Sequence, residues 1–389
     1  MLTIHVWPKR LKEFLLTHSL YKSPLLVKCR IFWGCLLAQG AVVLYNIAHM
    51  AIKVLGTGSY LPPKVVTNED IAAVLDTSDE WIFSHTGIRA RHVAEDGETT
   101  STMAAKAAKA ALEMAGVAPE EIGLIVLATS TPDYMTFPST ACVVQDMLGC
   151  ENAGAFDLQA ACAGFIYALE QARGFVNFYP DKKALVIGSE CLTRILDWTD
   201  RSSCILFGDG AGALVIGNDE APGIASTKTT AHTILGADGK GQAFIMRTGG
   251  TRDALPLDPT TGIPVKPEPI SPKLTLQGHD VFAFAVRKLS KVVGDLCEKL
   301  CTTPSQLDRV FAHQANGRII EATARRMKLP LEKFWLNLET TANTSAASVP
   351  ISLDQAVRAG ELKEGMNIVM VGFGAGLTYA GTYCQWPNL

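Results

Sequence analysis

With 389 residues, of which 48% are hydrophobic and 19% charged, the chain has ample material for a large core and falls outside the disordered and highly charged classes. Its net charge of −3 gives no global attraction to nucleic acid or to an anionic membrane, so neither is expected as a partner. Ten cysteines without one CxxC pair argue against zinc ribbons and thioredoxin-like redox sites, and indicate a reducing, cytoplasmic compartment.

Residues 1–49 differ in character from the rest of the chain. Lys9, Arg10, Lys12, Lys22, Lys28 and Arg30 make the start basic, and an uncharged stretch runs over 31–48. Its length approaches the roughly 20 residues of a membrane-spanning helix, but Gly34, Gln39, Gly40 and Asn46 dilute it. Two readings stay open: an upstream start ahead of a natural beginning at Met50, or an anchor or targeting segment.

From Met50 the pattern is regular. A strand over 51–56 enters a Gly/Pro-rich turn, Thr67-Asn68-Glu69-Asp70 carries caps for a short helix, and Thr77-Ser78-Asp79-Glu80-Trp81-Ile82 opens another. The Ala-rich stretch 102–115 reads as a helix stopped by Gly116, 122–129 as a buried strand, and 137–148 as a helix. A strand over 153–158 precedes Ala160-Ala161-Cys162-Ala163-Gly164-Phe165. Phe165, Ile166, Leu169, Ala172 and Val176 then fall at helical spacing, so a helix begins at or just after Cys162. A strand over 184–188 and a glycine-rich turn joined to a strand over 207–217 complete a first half, 50–219.

The second half repeats the first. Gly208-Asp-Gly-Ala-Gly212 and Gly372-Phe-Gly-Ala-Gly376 both precede apolar strands, and a helix over 281–300 before a strand over 307–312 mirrors the earlier pair. This predicts a duplicated α/β fold with related sheets, helices between and outside them, a connection over 220–277 and a second half over 278–389.

Cys162 is a candidate nucleophile. A thiol at the positive end of a helix, beside N–H groups lacking intrahelical partners, is expected to favour the reactive thiolate. His313 ends a buried strand, where open α/β sheets place their sites. Asn343 lies in a loop of small residues ahead of a helix, and the glycines at 372–376 allow close backbone approach. No Gly-Lys-Ser/Thr phosphate loop, no G-x-G-x-x-G after the first strand and no G-x-S-x-G elbow occurs, so nucleotide-cofactor and serine-hydrolase readings are weak.

Together, Ala-Ala-Cys162-Ala-Gly-Phe, His313-Gln-Ala-Asn-Gly-Arg318, Asn343-Thr-Ser-Ala-Ala-Ser, Phe207-Gly-Asp-Gly-Ala-Gly and Asp79-Glu-Trp-Ile resemble the β-ketoacyl-acyl-carrier-protein synthase III family of thiolase-fold condensing enzymes, from Met50 to the C-terminus. The resemblance implies a duplicated αβαβα fold. It also implies decarboxylative condensation of an acyl-CoA, foremost acetyl-CoA, with malonyl-acyl-carrier protein at a Cys162–His313–Asn343 site. No metal or redox cofactor is implied, and a homodimer is. By the same resemblance Trp81 and Arg201 sandwich the CoA adenine, and Thr77, Ser202 and Gly278 contact CoA. Phe373, Gly374 and Ala375 border the acyl group, while Phe137 reaches across the dimer to floor the acyl pocket. Gln314, Ala315, Asn316, Gly317, Arg318, Arg325 and Arg326 form the carrier-protein patch. Three positions depart from the pattern: His85 replaces a frequent phosphate-binding Arg, His279 a frequent Asn, and Ala283 a Lys of the patch. Within the family, enzymes using longer primers or serving secondary metabolism share the same triad. A non-catalytic carrier-binding protein is the competing class.

Overall fold

The computed structural model describes residues 52–218, 231–248, 258–263 and 274–389. The expectations for 1–49 lie outside these residues. The described chain is built from β1 (Lys53–Tyr60), α1 (Thr100–Ala115), β2 (Ile122–Ala128), α2 (Thr140–Leu148), β3 (Gly154–Leu158), α3 (Gly164–Phe178), β4 (Lys183–Glu190) and β5 (Gly210–Gly217). The second series is β6 (Ala231–Ala237), α4 (Gly278–Lys299), β7 (Arg309–Ala312), α5 (Gly317–Met327), α6 (Ser348–Arg358), β8 (Asn367–Gly374) and β9 (Thr378–Gln385).

The two series make two sheets of matching order. The first runs β1-β5-β4-β2-β3 and the second β6-β9-β8-β7. In each, two antiparallel pairings are followed by a parallel one. The second sheet has no named counterpart of β3, but Phe334 forms a parallel bridge to Val310 in that place. The strand β6 falls within the stretch that sequence patterning assigns to a connection. Its residues mix polar and apolar types because it is an edge strand, paired only to β9, so it carries no buried-strand signal.

Five layers result. The central strands are buried on both faces, which explains their continuous apolar runs. Ile125, Leu127, Leu185 and Ile187 face outward onto α1 and α2, while Val126, Ala128, Ala184 and Val186 face inward onto α3. Phe311, Ile368 and Met370 of the second sheet pack into that same inner cluster, and Val310, Val369 and Val371 face α4 and α5. The helices α3 and α6 therefore lie between the sheets.

A buried carboxylate ties the halves together. Asp354 on α6 is fully buried and accepts hydrogen bonds from Thr57 Oγ1 at 2.7 Å and Ser59 Oγ at 2.6 Å, both on β1, and from Arg358 Nε at 2.9 Å. Removing it strands two hydroxyls inside the sheet–helix contact. Asp354→Ala is expected to lower unfolding free energy by about 2–4 kcal/mol, read by chemical denaturation, with Asp354→Asn intermediate.

Candidate active site

Duplication places two short 3-10 turns at matching points. Ala161–Ala163 leads into α3 and Ser345–Ala347 into α6. Each opens on a residue in the left-handed region, Ala161 at φ 47° and Ser345 at φ 49°. Such backbone is costly for a residue with a Cβ, and it clusters where surrounding packing imposes it. The middle residue of the first turn is Cys162 and of the second Ala346. Only one of the two equivalent points carries a nucleophile.

The second half encloses the Cys162 turn. A Cβ on Gly374 would lie 2.5 Å from the Cys162 nitrogen, and one on Gly372 would lie 3.2 Å from its carbonyl oxygen. Thr378 Oγ1 donates to Ala160 O at 2.7 Å, holding the β8–β9 loop against the turn. The turn's own hydrogen bonds run from the N–H of Ala163 to Ala160 and of Gly164 to Ala161, leaving the Cys162 N–H outside them. That N–H, which reaches only its own sulfur, stands beside the Gly374–Ala375 loop in the geometry of an oxyanion site.

Each polar partner has one end occupied. Asn343 is held through its backbone, its N–H donating to Leu206 O at 3.0 Å and its carbonyl accepting from Gly208 N–H at 3.1 Å. Its Oδ1 accepts the Ser345 N–H at 2.8 Å, so Nδ2 is the end left as a donor. His313 is buried at the end of β7, with Nδ1 2.7 Å from Ser348 Oγ and its ring edge-on to Phe373 at 5.5 Å. A cavity of about 880 Å³ is lined by Cys162, His313 and Asn343 together. Phe373, Gly374, Ala375, Ser202, Gly278, Ala315 and Asn316 line it as well. Its size suits a drug-sized or pantetheine-like ligand.

Burial sets the protonation states. It pushes the Cys162 thiol up to about 12, with the nearby Glu190 adding to the rise and the Ser345 hydroxyl opposing it. The thiolate expected from the helix end is therefore not the resting form. A helix N-terminus contributes at most about 2 kcal/mol, and each pKa unit is worth about 1.4 kcal/mol, so burial wins. Desolvation likewise lowers His313 to about 3, which keeps the imidazole neutral. Cys162 thus sits as a thiol beside a neutral ring.

Other residues singled out from the sequence lie elsewhere. Trp81, on the helix Asp79–Thr86, stacks with His85 at 4.3 Å, and the Arg201 guanidinium stands 4.6 Å from its ring centre. The space between Trp81 and Arg201 is closed, since an intercalated ring needs about 7 Å, two van der Waals layers. Thr77 Oγ1 is buried without a hydrogen-bond partner. Phe137 is 81% exposed and does not line the cavity. Gln314 is fully buried, donating to Ala312 O and Trp335 O and accepting from Asn337 N–H, so the structure removes it from any docking surface. Asn316 caps α5 and Gly317 packs against Thr86 and Gly87, whereas Arg318, Arg325 and Arg326 are exposed on that helix.

Family models described as 3-oxoacyl-[acyl-carrier-protein] synthase III, and as its C-terminal part, match residues 156–233 and 297–386. A β-ketoacyl-[acyl-carrier-protein] synthase III of Caldanaerobacter subterraneus subsp. tengcongensis is 45% identical over 344 residues, 87% of this chain and 99% of the relative. The chain belongs to the β-ketoacyl-[acyl-carrier-protein] synthase III family. Among solved structures, the 3-oxoacyl-[acyl-carrier-protein] synthase III of Aquifex aeolicus VF5 is 40% identical with a TM-score of 0.76, over 86% of this chain and all of that one. A priming β-ketosynthase from the R1128 polyketide biosynthetic pathway is 37% identical with a TM-score of 0.77, over 87% and 96% of the two chains. The duplicated layers are accordingly those of the thiolase fold, and the chain is an acyltransferase of this family.

Sequence reasoning about the family site missed Ser348, Ser345 and Glu190. Ser348 is five residues beyond Asn343, the first residue of α6, where serine is common near helix starts, so nothing in the pattern separates it from an ordinary serine. With a raised thiol pKa, alkylation of Cys162 is expected to be slow at pH 7 and to climb about tenfold per pH unit past pH 9. Peptide mass spectrometry separates it from the exposed Cys142 and Cys301, and a plateau below pH 8 would refute the raised value.

Proposed function

We propose that the protein is the initiating condensing enzyme of fatty acid synthesis, joining an acyl-CoA, foremost acetyl-CoA, to malonyl-acyl-carrier protein with release of CoA and carbon dioxide. The observation that carries this reading is that Cys162, His313 and Asn343 line one cavity although 151 positions separate the first two. The Cys162 sulfur attacks the thioester carbonyl, giving up its proton as the bond forms. The carbonyl oxygen faces the Cys162 N–H and the Gly374–Ala375 loop, and CoA leaves as the thiol. Malonyl-acyl-carrier protein then loses carbon dioxide. The enolate oxygen lies against Asn343 Nδ2–H and His313 Nε2–H, donors that each supply about 10²–10³ in rate when fixed where charge develops. The carbanion attacks the acyl-Cys162 carbonyl, the carbon–sulfur bond breaks, and the departing thiolate takes a proton from water to restore the thiol. These steps call for no metal or redox cofactor.

For CoA, Ser202 and Gly278 border the cavity, and the unpartnered Thr77 hydroxyl is free to accept a ligand's hydrogen bond. Trp81 and Arg201 part to admit the adenine between indole and guanidinium. His85, whose ring lies on Trp81, is a weaker phosphate partner than an arginine. Arg318, Arg325 and Arg326 greet the acidic carrier protein, with Ala315 and Asn316 at the cavity wall beside them. The reaction takes place in the cytoplasm, the reducing compartment that ten cysteines without a CxxC pair indicate.

A homodimer completes the pocket. The strand β3 is a sheet edge paired only to β2 and exposes Phe156, while Tyr134, Met135 and Phe137 are exposed nearby in sequence. An uncovered edge with apolar side chains is an assembly surface, and a second copy is its occupant. Sedimentation is expected to give a dimer and Phe156→Glu a shift toward monomer; a monomeric unaltered protein would refute this.

The deciding experiment is a primer-specificity assay with malonyl-acyl-carrier protein as extender. Acetyl-CoA is expected to be the best primer. Preference for long primers would favour the alternative, a related condensing enzyme with a longer primer or a secondary-metabolite role. Cys162→Ala is expected to abolish acylation and condensation while malonyl decarboxylation survives on His313 and Asn343. An unaltered protein that never becomes acylated on Cys162 would instead be a non-catalytic binder.

A further inference from the structure

The adenosine of CoA carries a ribose phosphate and a diphosphate, so a site that takes its adenine also meets anionic oxygen. Beside Trp81 stands one ring able to change its charge. His85 lies in the last turn of the helix Asp79–Thr86, is exposed, and stacks on Trp81 at 4.3 Å with 20° between the ring planes. Its carbonyl accepts from Asn316 Nδ2 at 3.1 Å, and Asn316 lines the catalytic cavity, as does Ser202 next to Arg201.

The hydrogens of the His85 ring follow from its neighbours. Nδ1 lies 2.7 Å from the Trp81 carbonyl oxygen, and a carbonyl only accepts, so Nδ1 carries a hydrogen. Ser84 Oγ, 3.1 Å from Nδ1, directs its own hydrogen to the same carbonyl at 3.0 Å and leaves that assignment unchanged. A neutral imidazole has one N–H, so Nε2 then bears only a lone pair. Nε2 has no protein partner among the described residues. A lone pair repels a phosphate oxygen. An imidazolium donates to it through Nε2–H, and a cation over the face of an indole keeps the stack with Trp81.

The charges around His85 favour an anion. Arg201 lies over the Trp81 ring at 4.6 Å, and Arg318 is exposed at the head of α5, beside the Asn316 cap. Most carboxylates of the neighbouring elements are engaged: Asp79 and Glu339 by Arg89, Glu321 by Arg325, and Asp70 by the Thr67 N–H at 2.8 Å. Glu80, in the first turn of the same helix, and Glu69, on the packed helix Asn68–Ala72, complete the set.

We infer that His85 binds a phosphate of CoA only as the imidazolium, so that CoA enters this site together with a proton. This rests on the acyl-CoA reading proposed above and deepens it. An arginine in that place would keep its charge at every working pH. With histidine, affinity for CoA falls as pH rises through the range in which imidazolium is lost, while the chemistry at Cys162 is untouched.

Calorimetry of CoA binding to the full chain at pH 7.5, in buffers of different ionisation enthalpy, reads the proton directly. The unaltered protein is expected to take up a fraction of a proton, and His85→Arg and His85→Gln none. From pH 6 to pH 8 its CoA affinity is expected to fall about fivefold, with no fall in either variant and the arginine variant the tightest at pH 8. The ribose phosphate itself gains charge near pH 6, which strengthens binding as pH rises and so cannot imitate this fall. Dephospho-CoA separates the two sources of phosphate: uptake lost with it assigns the ribose phosphate, and uptake retained assigns the diphosphate. No uptake by the unaltered protein, or equal uptake in His85→Gln, overturns the proposal. CoA that binds at neither pH would overturn the acyl-CoA reading beneath it instead.

Discussion

Everything at the catalytic end of this molecule depends on one steric constraint: the end of β8 passes so close to the Cys162 turn that Gly374 has no space for a Cβ. The contact joins the two halves, since the turn belongs to the first and β8 to the second. It brings the Gly374–Ala375 loop beside the Cys162 N–H, which the turn's own hydrogen bonds do not use. The reciprocal contact exists too, with a Cβ on Gly188 of β4 lying 2.3 Å from the Ala346 oxygen of the second turn. There the equivalent strand ends on Glu190, and that buried carboxyl faces Ser345 and Ala346. Duplication made two crossings. One became a site with an open donor, and the other is filled by a side chain of the protein itself.

The same enclosure determines the chemistry at rest. A charged thiolate or imidazolium loses solvation in this cavity, and both groups shift toward their neutral forms. The site stores no ion pair between them. Charge arises only when substrate arrives, at oxygen atoms for which donors already stand in place. Such preorganised donors carry no reorganisation cost during reaction, which is the general reason buried polar sites accelerate acyl transfer. The strained backbone at Ala161 and Ser345, each with φ near +50°, opens the two turns packed at these crossings.

Much of this was legible in the chain. Apolar runs with Gly and cap punctuation located the buried strands and the helices α1, α3 and α4, because burial on both faces leaves a continuous hydrophobic record. The strand β6 escaped because an edge strand mixes polar and apolar residues. The carrier-patch expectation failed at Gln314 because a motif gives a residue its place in line and not its direction: the side chain turns inward to hold three backbone groups.

By itself the sequence determined the duplicated α/β plan, the family, and the identities of Cys162, His313 and Asn343, since residue type and order along the chain record both. The tertiary structure alone decided that the three share a cavity, that the sulfur is a thiol, that Asn343 presents Nδ2, and that Ser348 lies against Nδ1 of His313. Solvation and hydrogen-bond direction depend on neighbours brought in from more than a hundred residues away, and no local pattern encodes them.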